Sequence, residues 1–126
     1  MIISLELDGE TPLYEQLRNQ IVIGIATGGL APQEKLPTVR QLAEDLGINT
    51  MTVNKTYSLL KQQGYIVIDR RHGAKVSPTI DESPNHSAEL EGQLQLIIAQ
   101  AAIRGMDQSR FQTICSQIFS KMTYQH

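Results

Sequence analysis

The sequence contains no tryptophan, only two phenylalanines and a single cysteine in 126 residues. Without large aromatics the core has to be built from aliphatic side chains. An apolar content of 40% against 19% charged residues is enough for a folded globular chain rather than a disordered one. Cys115 has no second thiol to pair with, so no internal disulfide can form and a reducing compartment suits the chain. Apolar stretches such as Ile21 to Ile25 and Leu96 to Ala99 fall far short of the ~20 residues that cross a bilayer. The first ten residues lack the basic and long apolar segments of a secretory signal. The expectation is a cytoplasmic protein with no membrane partner. Repeats, low-complexity tracts and a phosphate-cradling glycine loop are missing too. His72, His86 and His126 are scattered without metal-ligand spacing, and no nucleophile, base and orienting group stand together. Neither catalysis nor a metal or other cofactor is expected.

What the chain does have is an uneven distribution of charge. The formal net charge is −2, yet from Lys35 to Ser77 seven basic residues (Lys35, Arg40, Lys55, Lys61, Arg70, Arg71, Lys75) face three acidic ones (Glu44, Asp45, Asp69). Nucleic-acid binding needs a local positive surface to neutralise phosphates, and the balance of one segment matters more than that of the whole.

The order of helix signals follows the same segment. Residues 2–7 read as a short strand or an extended arm. Thr11-Pro12 announces a first helix through a capping hydroxyl and a proline, and Leu13, Leu17, Ile21 and Ile25 recur along one face until Gly28-Gly29. Residues 30–37, with two prolines, form a loop. Thr38 and Gln41 form a capping box, Val39, Leu42, Ala43 and Leu46 give a second apolar face, and Gly47 suits a left-handed end. After a turn of three residues, Asn49 caps a third helix with Val53, Tyr57 and Leu60 inward. Thr50, Met51, Asn54, Lys55, Ser58 and Lys61 then lie on its other side. Two short helices joined by a glycine turn make a helix-turn-helix. Tyr65–Asp69 and Ala74–Ser77 read as two strands around a basic tip, Arg70-Arg71-His72-Gly73, which is the form of a wing.

Residues 78–87, with two prolines, read as a linker, dividing a winged domain over 1–77 from a tail over 88–126. In the tail, Leu90, Leu94, Ile97, Ile98 and Ala101, then Phe111, Ile114, Cys115, Ile118 and Met122, mark two amphipathic helices broken at Gly105, with Asp107 as the cap. A helical hairpin of this size buries too little to stand alone, so its stripes need a second copy or the winged domain. A homodimer is the expected solution, with Leu90, Leu94, Ile97, Ile98, Ala101, Phe111, Ile114 and Ile118 as its contact residues. The expected fold is mainly α with a small β-wing: a winged helix-turn-helix followed by a two-helix dimerisation hairpin.

The residues also resemble a known family. Leu36-Pro37-Thr38-Val39-Arg40-Gln41-Leu42-Ala43, Leu46-Gly47-Ile48-Asn49, Thr52-Val53, Tyr57, Leu60 and Gly64-Tyr65-Ile66 resemble the N-terminal domain of GntR-type transcription regulators. Upstream, Thr11 to Leu17 and Gly28 to Pro37 extend the likeness. The short helical tail is similar to that of the YtrA-type branch. The resemblance implies a dimeric regulator binding double-stranded operator DNA, typically a repressor, often of an operon for an ABC-type membrane transporter. It also implies a DNA contact for Arg40 and a phosphate contact for Thr52. The sequence departs from the branch where Asn-Pro-Asn-Thr-Val gives way to Asn49-Thr50-Met51-Thr52-Val53, and where Arg71 takes the first glycine of the wing's Gly-x-Gly. Base preference does not carry over across those changes.

Within this reading the DNA-facing candidates are Thr38, Arg40, Thr50, Met51, Thr52, Asn54, Lys55, Arg70, Arg71, His72 and Gly73. The second helix of the motif directs its first residues to base edges. Lys55 reaches phosphate or guanine, and Met51 suits a thymine methyl. For Arg40 an ion pair with Glu44 one turn on is the alternative, and for the wing a basic turn that touches nothing. A protein-interaction module and an RNA-binding domain are the rival readings. Few aromatics argue against single-stranded RNA, and the local positive charge argues against the former. The dimer leaves room for a small-molecule effector, but no residue set identifies one.

Overall fold

Residues 3–80 and 86–124 are described by a computed structural model. Their elements run α1 (Leu13–Ala26), α2 (Val39–Leu46), α3 (Thr50–Gln62), β1 (Ile66–Asp69), β2 (Gly73–Val76), α4 (His86–Ile103) and α5 (Gln108–Phe119). The fold is a mainly helical winged helix-turn-helix with a helical tail. Two compact units divide it, one of residues up to Ile80 together with Thr123 and Tyr124, the other running to Met122. Of the sequence-read linker, residues 81–85 lie outside the described residues, while His86 and Ser87 already belong to α4.

The first unit is organised around α3, which packs against α1, α2 and β1. Its inward face of Val53, Thr56, Tyr57 and Leu60 meets a core of Leu17, Ile21 and Ile25 from α1, Leu42 and Ala43 from α2, and Leu30, Leu36, Ile66, Ala74 and Val76. Thr56 is the polar member. Its hydroxyl donates to the Tyr14 carbonyl at 2.8 Å, so its full burial leaves no hydrogen bond unmade. The Tyr57 hydroxyl donates to the Pro37 carbonyl at 2.7 Å and ties α3 to the loop before α2.

Local chemistry sets the helix ends. The Thr38 hydroxyl accepts the Gln41 N–H at 3.0 Å, and the Asn49 side chain accepts the Met51 N–H at 2.7 Å. The other half of the capping box is not made, because the Gln41 amide donates forward to Asp45 instead. Gly47 takes φ 68°, a left-handed conformation that ends α2 and turns the chain into α3 within three residues. At α1 the expected hydroxyl cap is absent. Pro12 itself is the N-cap, its carbonyl accepts from Glu15 and Gln16, and no side chain caps the end.

Residues 3–6 are an extended arm rather than a strand, and two glutamines hold it. Gln20 both accepts from the Ser4 N–H and donates to the Ser4 carbonyl. Gln16 accepts from the Glu6 N–H at 2.8 Å and donates to the carbonyls of Glu6 and Thr11. A primary amide offers the donor and acceptor of a peptide group, so each glutamine acts as a single rung of a ladder. The wing pairs β1 with β2 antiparallel from Ile66↔Val76 to Asp69↔Gly73. The loop before α2 contributes more than the sequence indicated. Gln33, Glu34 and Leu36 exchange backbone hydrogen bonds with Val76 and Ala74, and Lys35 bridges Lys75, giving β2 a short second neighbour opposite β1.

Tyr57 makes this core sensitive to alkali. Burial pushes its hydroxyl from the ordinary 10 up to about 12, so folding favours the protonated phenol. Its stabilising contribution is complete below pH 10 and is lost as pH rises toward 12. Urea denaturation should show Tyr57→Phe costing about 1 kcal/mol at pH 8. The wild-type advantage should shrink between pH 10 and 12; an advantage constant to pH 12 would contradict the assignment.

Candidate nucleic-acid interface

With Val53, Thr56, Tyr57 and Leu60 turned inward, the helical repeat leaves Thr50, Met51, Asn54, Lys55, Ser58 and Lys61 exposed on one side of α3. Thr52 is half-buried at its shoulder. Met51 is 76% exposed, an unusual position for a large apolar side chain on an otherwise polar face. Lys55 is not free-swinging. Its ammonium sits 4.0 Å from the centroid of the Tyr14 ring, a cation–π contact worth about 0.5–1 kcal/mol at an exposed site. Tyr14 thus contacts α3 twice, through its ring to Lys55 and through its carbonyl to Thr56.

Thr38 and Arg40 lie at the exposed start of α2. The ion pair with Glu44 does form, with Arg40 Nε 3.6 Å from Glu44 Oε1, but the two side chains are 87% and 63% exposed. Such a pair contributes only about 0.3–0.5 kcal/mol. A phosphate or a guanine edge, gripped by the guanidinium fork, competes easily with it.

At the wing, Arg70, Arg71 and His72 form the exposed tip between Asp69 and Gly73, and Gly73 takes φ 73°. The tip is ordered by an acid. Asp69 Oδ1 accepts the Arg71 N–H at 2.7 Å, and His72 Nδ1 lies 3.1 Å from Asp69 Oδ2. The Arg71 N–H and then the His72 ring hold the Asp69 carboxyl below its ordinary range. An aspartate lowers the charge of this basic tip, but it also folds the turn that carries the two arginines.

Several contributors carried no sequence signal. Tyr14 and Arg18 read as members of the first helix, yet Arg18 donates to Gln63 Oε1 at 2.9 Å and stands 5.4 Å from the Tyr65 ring centroid, linking α1 to the end of α3. Only fold-level adjacency brings these residues together. In the tail, the named stripe residues Leu90, Leu94, Ile97, Ile98 and Ile118 are exposed, while Ala101, Phe111 and Ile114 are half-buried. Cys115, read as a core thiol on the apolar stripe, is half-buried as well.

Comparison with known proteins decides the family. Residues 13–76 match the family described as "Bacterial regulatory proteins, gntR family". The chain belongs to the GntR family. Among GntR relatives, the transcriptional repressor YtrA of Bacillus subtilis is 30% identical over 108 residues, covering 84% of this chain and 83% of its own. The regulator Rv1152 of Mycobacterium tuberculosis is 39% identical over 66 residues, 52% of this chain and 54% of that protein. The chain thus spans about half of that relative, and only 15% of the Escherichia coli regulator YdcR. Among solved structures, YtrA from Sulfolobus acidocaldarius, a GntR-family transcription factor, aligns at TM-score 0.65 and 36% identity over 82% of this chain and 99% of that one. A Listeria monocytogenes transcriptional antiterminator shares the fold over 100% of this chain and 98% of that one, at TM-score 0.87 and 23% identity. The DNA-binding domain of AraR, solved in complex with operator ORX1, aligns at TM-score 0.54 and 25% identity over 60% of this chain and 96% of that one. Among the described residues of this GntR chain, no helix is long and apolar enough to cross a membrane.

The acid in the wing can be tested directly. Asp69→Ala should raise the hydrogen-exchange rate of the Arg71 amide, while Asp69→Asn, which keeps an acceptor at the same place, should stay close to wild type. Unchanged exchange in the alanine variant would remove the ordering role of Asp69.

Proposed function

We propose that this chain is a repressor that binds operator DNA as a homodimer, with α3 in the major groove and the wing along the minor groove. The observation that carries the reading is the split of α3: one side buried in the core, the other outward and polar with Lys55 and Lys61 upon it. In a helix-turn-helix such a free side enters the major groove with its N-terminal residues toward base edges. Thr50, Met51 and Asn54 then meet the bases, with Met51 against a thymine methyl. Thr38, Arg40, Thr52 and Lys55 grip phosphates or, for the two cations, guanine. Arg70 to Gly73 follow the minor groove, where a narrow A·T-rich stretch attracts arginine. The repressor assignment is supported by the likeness to YtrA of Bacillus subtilis. The resemblance to its branch extends the proposal to an operon for an ABC-type transporter.

A dimer joined through the tail presents two α3 helices to one duplex. The exposed apolar residues of α4 and α5 support this, since among the described residues neither helix buries a single side chain. Fragments selected from random DNA by the purified protein should carry a palindrome with half-sites about one helical turn, or a multiple of it, apart.

Fluorescence anisotropy on a selected fragment tests the residue roles. Arg40→Ala and Arg71→Ala should each weaken binding about tenfold, equivalent to ~1.4 kcal/mol, with circular dichroism unchanged. Lys55→Ala should lower the slope of log affinity against log salt by about one. Wild-type affinity in both arginine variants, or a complex indifferent to salt, would overturn the mechanism.

A further inference from the structure

Lys55, on the open side of α3, is held by a ring rather than by an acid. Its ammonium stands 4.0 Å from the centroid of the Tyr14 ring, and among the described residues it makes no ion pair. The difference matters physically. A carboxylate orients a cation by neutralising it and has to be displaced before a phosphate binds, as Glu44 has to be at Arg40. An aromatic face orients the cation through the ring quadrupole and leaves its charge and its outward N–H donors available.

Tyr14 is itself fixed. It is the second residue of α1, half-buried, and its carbonyl accepts from the completely buried Thr56 hydroxyl at 2.8 Å. That bond uses the backbone, so the side chain at position 14 takes no part in it and the ring is left to Lys55. Lys55 in turn lies past the first turn of its helix, about 7.5 Å along the axis from Thr50. In a helix-turn-helix the first residues of the second helix meet the base edges, whereas the ring draws the Lys55 head toward the start of α1. A lysine has many rotamers, and an anchor already present reduces the cost of losing them on binding.

From this geometry we propose that Tyr14 is a positioning residue of the DNA interface: its ring presents the Lys55 ammonium to a backbone phosphate and keeps it off the base edges. The proposal rests on the DNA-binding reading above and specifies one contact within it. Ring and phosphate approach the ammonium from different sides, so the two contacts add rather than compete.

The free protein gives the first test. The Lys55 ε-methylene resonances should be shifted upfield by the ring current in the wild type and in Tyr14→Phe, and should return to the ordinary lysine position in Tyr14→Leu. Nuclear Overhauser contacts between the Lys55 side chain and the Tyr14 ring in the wild type make this arm independent of any variant's folding. An unshifted wild-type lysine would overturn the anchor. On a DNA fragment selected by the wild type, anisotropy should show Tyr14→Leu weakening binding about two- to fivefold, with the salt slope unchanged because the charge remains. Tyr14→Phe should bind like the wild type. In a Lys55→Met background Tyr14→Leu should cost nothing further, and fragments selected by Lys55→Met should keep the wild-type base preference. Circular dichroism checks the fold of each variant. A loss in Tyr14→Phe equal to that in Tyr14→Leu would assign the effect to the hydroxyl, and an undiminished loss in the Lys55→Met background would detach Tyr14 from Lys55; either result overturns the positioning role. A preference altered at one base pair in Lys55→Met would put the ammonium on a base and overturn the phosphate assignment. A wild-type protein that binds no duplex would overturn the DNA-binding reading itself, while the lysine shift would still report the anchor.

Discussion

The enclosure of α3 by α1, α2 and the start of the wing is the constraint on which the first unit depends. Val53 and Leu60 are completely buried, and truncating a leucine in such a place costs about 2–5 kcal/mol. The burial also fixes rotation. With Thr56 bonded to Tyr14 and Tyr57 to Pro37, α3 cannot turn about its axis without breaking a buried hydrogen bond at each neighbour. Its outward side is therefore aimed by the core, and Lys55 is steadied by the same tyrosine whose carbonyl receives Thr56. Packing and presentation of the candidate interface are one arrangement.

This explains which features could be read from the sequence. Gly47 and Asn49 are legible because the conformations they enable are local: a left-handed turn and a capped helix start three residues apart. The wing is legible because four paired residues per strand suffice for β-branched clustering and a glycine tip to show. The second neighbour of β2 is not, since a bridge at Lys35 alone is too short to alternate. Thr56 belongs to the inward stripe by spacing, three after Val53 and four before Leu60, but its hydroxyl disguises it. Gln16 and Gln20 have no distinguishing signal at all, because glutamine on a helix ordinarily faces water, and only the arm beside them gives the amides their role.

Of the named candidates, the side of α3 and the wing tip were legible as surfaces, but not the interactions that aim them. Asp69 counted as a negative charge to be subtracted from a basic segment. In the fold it accepts the Arg71 N–H and meets His72, so the charge that lowers the local sum is the one that shapes the tip. Charge counting treats residues as independent, whereas a turn makes them partners. The Arg40–Glu44 pair shows the converse, a contact foreseen from spacing whose small energy leaves the arginine available.

The two units meet opposite requirements. The first closes its own core, and among the described residues it leaves no buried polar side-chain atom without a partner. The second buries no helix residue at all among those described, and it leaves Leu96, Ile103 and Phe119 strongly exposed. Apolar surface of that extent is costly in water, at roughly 25 cal/mol per Å². In the proposed dimer, folding of the tail and association are one equilibrium, governed by protein concentration. In the proposed regulator, reading of DNA inherits that dependence, because two α3 helices serve one site. On that proposal the second α3 acts at a high effective concentration only once the tail has assembled.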